Sequence, residues 1–401
     1  MRTEDDAVPD VPISGHCDGR FAEVEEEFAR NFAERGDVGA GLCVMVDGAT
    51  VVDLSGGWTD PAHTRAWRPD TLVDVYSVGK AVVALLALQL VDDGVVGLDD
   101  PVASVWPEFA DSGKGSATIR HALCHRAGVP AIRREMSDAD LWDFAVMTAA
   151  VAGTAPWWVP GTRHAYHTNT YGHLVGGIIH RATGELPGTR LRAVADELGA
   201  DVWFGVPDSE QARCADVVWA PRGGAPPADA ATTSHVDRAA PSHDGAAIRS
   251  PDDEMVRLSY FNPPGYSSVG VVNSPEWRAA QIPSTNSHAT AAGVARIYQG
   301  LLEPGHLLSP GLLSEATSPQ SVGWCPVLGE EVTFGLGFMP TTPRRQFGPN
   351  PSGFGHFGTG GAVGFADPDA GVAFGYVMNH VIPRWQSSRN RALIDALYRA
   401  L

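Results

Sequence analysis

Lysine is nearly missing from this chain: of 401 residues only Lys80 and Lys114 are lysines, and every other basic residue counted with them is arginine. Lys plus Arg total 29 against 47 Asp plus Glu, a formal net charge of −18. That balance argues against nucleic acid or an anionic membrane surface as main partner. No run of ~18 apolar residues occurs, so no membrane span is expected. The longest apolar stretch, residues 81–91, is interrupted by Gln89 and reads as a buried helix. The five cysteines (Cys17, Cys43, Cys124, Cys214, Cys325) are odd in number, scattered, and form no CxxC pair. Residues 1–6 are acidic without an apolar core, so no secretory signal is expected. With unpaired thiols, this points to a reduced, cytoplasmic protein. There is no Walker loop or dinucleotide fingerprint, and Gly265-Tyr-Ser-Ser-Val269 lacks the second glycine of a nucleophile elbow.

What is present is a globular composition, 44% hydrophobic and 19% charged. Residues 20–35 place Phe21, Val24, Phe28 and Phe32 at helical spacing. Residues 41–57 read as a hairpin about Asp47-Gly48. A helix is expected from Ser77, with Val82, Leu85, Leu86 and Leu90 inward. Residues 119–302 look mostly helical, and 332–339, 362–366 and 372–378 look like short strands. Residues 390–401 read as a closing helix. Strands at both ends with helices between predict an α/β fold: an antiparallel sheet flanked by helices, with an inserted helical domain. The expected division is an N-terminal tail at 1–17 and one domain at 18–401. Its α/β part is about 18–97 and 331–401, and its helical part about 98–330. The cleft would lie where the two meet. Residues 221–250 are rich in Ala, Pro, Gly, Ser, Asp and His and poor in apolar side chains, so a mobile loop is expected there.

Three segments can carry chemistry. Ser77-Val78-Gly79-Lys80 is an SxxK tetrad at a helix start, and i, i+3 spacing sets Lys80 beside the Ser77 hydroxyl. A serine alcohol needs a base, and a lysine can serve if burial keeps it neutral. Taken alone, the same residues more readily describe an N-cap serine and a snorkelling lysine; the apolar helix that would bury Lys80 and the scarcity of lysine favour the catalytic pair. Tyr166 follows a Pro160-Gly161 turn and precedes an apolar helix; a tyrosinate beside a lysine ammonium is a possible general base. His356-Phe-Gly358-Thr359-Gly-Gly361 precedes a strand, where a glycine-rich edge lets backbone N–H groups approach a substrate carbonyl. His121 and His125 flank Cys124 in a pattern resembling a metal clip, but no third ligand is evident, and structural histidines are expected. No metal or organic cofactor is needed for the chemistry described.

Taken in order, SxxK, Pro-Gly-x4-Tyr and a [His/Lys]-x-Gly strand resemble the serine β-lactamase-like superfamily, in its class C β-lactamase and family VIII carboxylesterase branch. Trp67-Arg-Pro-Asp-Thr71, Leu98-Asp-Asp-Pro-Val102, residues 118–130, residues 282–291 and residues 354–361 resemble that branch too, so the likeness spans about 18–400. It implies Ser77 as acyl-accepting nucleophile, Lys80 and Tyr166 as proton-transfer pair, and the Ser77 and Thr359 N–H groups as oxyanion hole. It further implies that His356, Gly358, Asn286, Asn169 and Trp158 border the substrate. The chain departs from class C in two places. Asparagine comes one position late in Tyr166-His167-Thr168-Asn169, and His356 replaces the lysine that binds a lactam carboxylate. Those departures fit esterase and transacylase members better. The expected substrate is a small ester or amide, with an amine as a possible acyl acceptor.

Overall fold

Asp47 and Gly48 adopt φ of 48° and 80°, the doubly left-handed turn that matches the twist of a two-residue hairpin. The computed structural model describes residues 11–220, 250–382 and 385–401; the loop expected at 221–250 lies outside them apart from Ser250. The hairpin is the start of a seven-stranded sheet. Its strands are β1 (Ile13–Cys17), β2 (Gly39–Val46), β3 (Ala49–Gly57), β4 (Met339–Pro340), β5 (Phe354–Phe357), β6 (Val363–Asp367) and β7 (Val372–Met378). The order is β1-β3-β2-β7-β6-β5-β4, antiparallel throughout. The two ends of the chain meet where β7 pairs with β2, Val372 opposite Val46 and Met378 opposite Ala40.

β7 is buried along its whole length, which an apolar run achieves only with both faces covered. Five helices matter for the site: α1 (Ala22–Glu34), α2 (Val78–Asp92), α3 (Thr170–Thr183), α4 (Ala291–Leu302) and α5 (Ser388–Ala400). Helix α4 lies across β2, β6 and β7, while α1 packs with α5 and sets Phe32 on Gly56 of β3. Helix α2 is apolar on all sides and packs between α3 and β5. It is the hinge of the architecture, one flank on the sheet and the other on the helices between residues 98 and 330.

Two expectations change. The tail expected at 1–17 includes the edge strand β1, whose Ile13 and Cys17 lie opposite Gly56 and Val52. Its sequence, Ile-Ser-Gly-His-Cys, alternates Ile13 and Cys17 with polar residues but is short and centred on glycine, so pairing with β3 is what makes it a strand. The strand expected at 332–339 divides. Glu330–Phe334 forms a separate hairpin with Ser321–Cys325, and only Met339–Pro340 joins the sheet. Gly335 and Gly337 (φ 87°) stand at the break.

Candidate active site

Ser77 opens α2 behind a strained residue. Tyr76 sits at φ 50°, a region that costs a non-glycine residue about 1–3 kcal/mol. Its N–H donates to Asp74 Oδ1 at 2.8 Å, and Asp74 Oδ2 accepts from Trp277 Nε1 at 3.0 Å. Burial holds the Asp74 carboxyl well above the usual carboxylate range. The Ser77 hydroxyl makes no helix-capping bond, so the N-cap alternative for this serine does not hold.

Its partner is Lys80, whose Nζ donates to Ser77 Oγ at 2.9 Å and to the Ser284 carbonyl at 2.8 Å. Lys80 is fully buried, and burial alone pushes its ammonium well below the usual lysine range. The tetrad's glycine serves the same contact. A Cβ on Gly79 would lie 1.8 Å from Ser287 Oγ and 2.3 Å from the Pro283 carbonyl, so the segment 283–287 can press on α2 and present Ser284 to Lys80.

The Lys80 Nζ stands 4.7 Å from the centre of the Tyr166 ring. That ring is packed parallel to Phe334 (5.5 Å) and His356 (6.2 Å), with the Trp385 edge at 5.4 Å. Burial drives the phenol well above its usual range, with Ser77 opposing that shift. No protein group forms a well-shaped hydrogen bond to the Tyr166 hydroxyl among the described residues. Burial thus favours a neutral lysine beside a neutral phenol over the tyrosinate–ammonium pair expected from sequence.

Strand β5 forms the opposite wall. A Cβ on Gly358 would fall 2.3 Å from the Val75 carbonyl, so only glycine lets this strand end run against the segment before Ser77. Thr359 follows, in a short turn through Gly360 (φ 89°) and Gly361. Among the described residues, neither the Ser77 nor the Thr359 N–H donates to a main-chain acceptor. The His356 imidazole is buried, and its Nδ1 lies 2.7 Å from the Phe357 carbonyl, which fixes Nδ1 as the protonated nitrogen. Burial, then Lys80, brings its pKa down to about 3, so it is neutral at ordinary pH.

Two residues expected at the substrate are placed elsewhere. The Asn286 side chain is buried; its Nδ2 donates to the Trp277 and Ala280 carbonyls, each at 2.7 Å, and its Oδ1 accepts from Ile282 N at 2.9 Å. It closes its own loop and has no free polar atom for a ligand. Asn169 is similarly engaged: Nδ2 donates to the Ser259 carbonyl and Oδ1 accepts from Thr285 Oγ1, both at 2.7 Å. Its main-chain carbonyl accepts from Ser284 Oγ at 2.6 Å, so it braces the segment that holds Lys80. Trp158 is half-buried, edge-on to His167 at 6.2 Å. His121 belongs to a helix-capping box with Thr118.

The sequence reading missed Ser284, which acts through its carbonyl and therefore leaves no side-chain signature. His125, expected as a structural histidine, is buried with its ring 4.9 Å from Tyr166, and its Nδ1 accepts from His167 N at 3.1 Å. Trp385 was not singled out either; its Trp-Gln-Ser context carries no motif.

Comparison with known proteins agrees with this geometry. Residues 28–398 match the Beta-lactamase family. The esterase/beta-lactamase LipL of Mycobacterium tuberculosis is 32% identical over 385 residues, 92% of this chain and 83% of that protein. A penicillin-binding protein homolog from Caulobacter crescentus is 37% identical, with a TM-score of 0.84 over 97% of this chain and 100% of the other. A family VIII carboxylesterase structure is 31% identical, with a TM-score of 0.85 over the same shares. The whole length of the fold and the order of its three site segments therefore say one thing: the chain belongs to the serine β-lactamase-like family.

Proposed function

We propose that the protein is a serine carboxylesterase working through an acyl-Ser77 intermediate. The observation that carries this reading is the buried Lys80 Nζ, 2.9 Å from Ser77 Oγ and held by the Ser284 carbonyl. Neutral Lys80 takes the Ser77 proton as Oγ attacks the ester carbonyl carbon. The developing oxyanion is received by the Ser77 and Thr359 N–H groups. As the C–O bond breaks, the leaving alkoxide takes a proton from Tyr166, which Lys80 replenishes. Water then attacks acyl-Ser77, giving its proton to the same pair, which returns it to Ser77 Oγ as the acyl C–O bond breaks and the acid leaves. Relatives named esterase or carboxylesterase support this class.

The substrate side of the reading rests on His356. A neutral imidazole offers no ammonium to a substrate carboxylate, which favours uncharged esters over β-lactams. The acyl-enzyme can also pass its acyl group to an amine or alcohol, and an amine panel with product masses separates transfer from hydrolysis. The test of the whole reading is direct. Ser77 should carry the label of a fluorophosphonate probe, and Ser77→Ala should lose both the label and turnover of p-nitrophenyl butyrate. Labelling at another residue would overturn Ser77 as nucleophile, and equal rates for the two proteins would overturn the reading and leave a binding protein on a catalytic scaffold.

A further inference from the structure

The turn that carries Thr359 is held from behind by an ion pair that belongs to neither the sheet edge nor the cleft. Arg389, in the first turn of α5, donates from Nη2 to the Gly360 carbonyl at 2.5 Å. From Nη1 it donates to Asp37 Oδ1 at 2.6 Å and to the His380 carbonyl at 3.0 Å. The neighbouring Asn390 donates from Nδ2 to the Gly361 carbonyl at 2.9 Å. Asp37, in the link from α1 to β2, also accepts from the Tyr376 hydroxyl of β7 at 2.5 Å. The two charged side chains are 1% and 0% exposed. A buried arginine–carboxylate pair is an expensive way to hold a fold together, and apolar packing would serve as well. What apolar side chains cannot do is hold the Gly360 and His380 carbonyls together with one planar fork.

The geometry points to Arg389 and Asp37 as positioning residues for the oxyanion turn, a role that rests on the function proposed above. Gly360 and Gly361 both have left-handed φ, 89° and 110°, so this backbone has soft alternatives. Fixing the Gly360 carbonyl fixes the Gly360–Gly361 peptide plane, which the single Thr359–Gly360 plane separates from the one that carries the Thr359 N–H. A donor misplaced by a fraction of an ångström weakens in the transition state more than in the ground state. The pair would therefore set kcat with little effect on KM, through a chain that starts near the N-terminus and ends in α5.

The test is Arg389→Lys, which keeps a cation for Asp37 but gives up the planar fork that reaches Gly360 and His380 together. We expect kcat for an oxo-ester to fall roughly tenfold to a hundredfold, less than the ~10²–10³-fold of deleting an oxyanion donor outright, with KM near wild type. The specific readout is the rate ratio between an ester and its thionoester. Sulfur is a poor acceptor for an oxyanion hole, so the ratio should drop in the variant. Loss of stability alone leaves that ratio unchanged in the folded fraction. Should Arg389→Lys fail to fold, Asn390→Ser removes the Gly361 bond, together with those to the Trp385 carbonyl and from Ser387 N, and should move the ratio in the same direction. A folded variant with wild-type kcat and ratio would overturn the positioning role while fluorophosphonate labelling of Ser77 persists. Loss of that labelling from wild type would instead overturn the function it rests on.

Discussion

Lys80 Nζ sits 2.9 Å from Ser77 Oγ with no carboxylate among the described residues paired to it, and burial is the cause of its lowered pKa. A lysine paired with an acid stays protonated and cannot accept; this one faces a hydroxyl and a carbonyl. Lys80→Ala should lose about 10²–10⁴-fold in kcat/KM. Lys80→Arg should not rescue, because a guanidinium does not give up its proton. Wild-type kcat/KM should rise with pH along an acid limb as Lys80 deprotonates, below the ordinary lysine range. The same shift bears on stability. The unfolded chain holds this proton to higher pH, so the penalty is full below the folded pKa and relieved as pH climbs toward the unfolded value. A pH–rate profile without that limb would remove Lys80 as base.

Tyr166→Phe separates chemistry from folding. Ser77 interacts with the phenol without forming a well-shaped hydrogen bond among the described residues, so deleting the phenol oxygen removes at most a weak contact. The ring contacts with Phe334, His356 and Trp385 remain. Stability should stay within about 1 kcal/mol of wild type while kcat falls about 10²–10⁴-fold. Thermal melts beside steady-state rates check both halves; a variant that keeps its rate would leave the leaving group to be protonated by Lys80 alone.

The parts of this site legible in the sequence are those written in side chains at fixed local spacing. Ser77 and Lys80 share a helix face three residues apart, and Asp47-Gly48 names its turn by residue type. Asn286 and Asn169 misled because an asparagine offers a substrate the same atoms it offers a loop. Only the tertiary partners Trp277, Ala280 and Ser259 show those atoms already engaged. Ser284 and the Arg389–Asp37 pair were invisible for a different reason. They act on or through peptide carbonyls across 204 and 352 residues of chain, which no local pattern records. β1 escaped because five residues centred on Gly15 carry too short an alternation to stand out, and its pairing with β3 completes it as a strand.

Gly79→Ala tests whether the middle of the tetrad is packed as tightly as the structure shows. In an isolated helix the change should help by about 1 kcal/mol. Here the new methyl meets Ser287 Oγ and, less forgivingly, the Pro283 carbonyl at 2.3 Å. Relief requires the 283–287 segment to withdraw, and the Ser284 carbonyl withdraws with it from Lys80. Overpacking of this kind costs ~1–3 kcal/mol. The variant should melt lower than wild type and lose kcat together. Adding Ser287→Gly should recover part of the stability, since that removes the nearer clash and leaves the carbonyl. A rise in melting temperature for Gly79→Ala would show that the segment yields freely.

The buried histidines predict how the fold fails in acid. Burial brings His167, His173 and His356 down to about 3 and His288 to about 4. His167 shows why they resist protonation: its Nδ1 faces the Ala165 carbonyl at 2.7 Å while Nε2 accepts from Val129 N at 3.2 Å, so no lone pair is left for a proton. In the unfolded chain each histidine takes a proton near its ordinary value of about 6.5. Between that value and the folded pKa the unfolded state binds more protons, so stability falls as pH falls. Each such group contributes a slope of about 1.4 kcal/mol per pH unit. Melting temperature should hold near neutrality and drop steeply below about pH 6.5. His173→Gln, at a ring bonded to Tyr266, should make the drop shallower, because one titrating group is gone. The rate profile of the folded enzyme should meanwhile show no histidine limb near ~6.5, since these rings stay neutral there. A melting curve flat from pH 7 to 5 would contradict the buried, neutral state of these four rings.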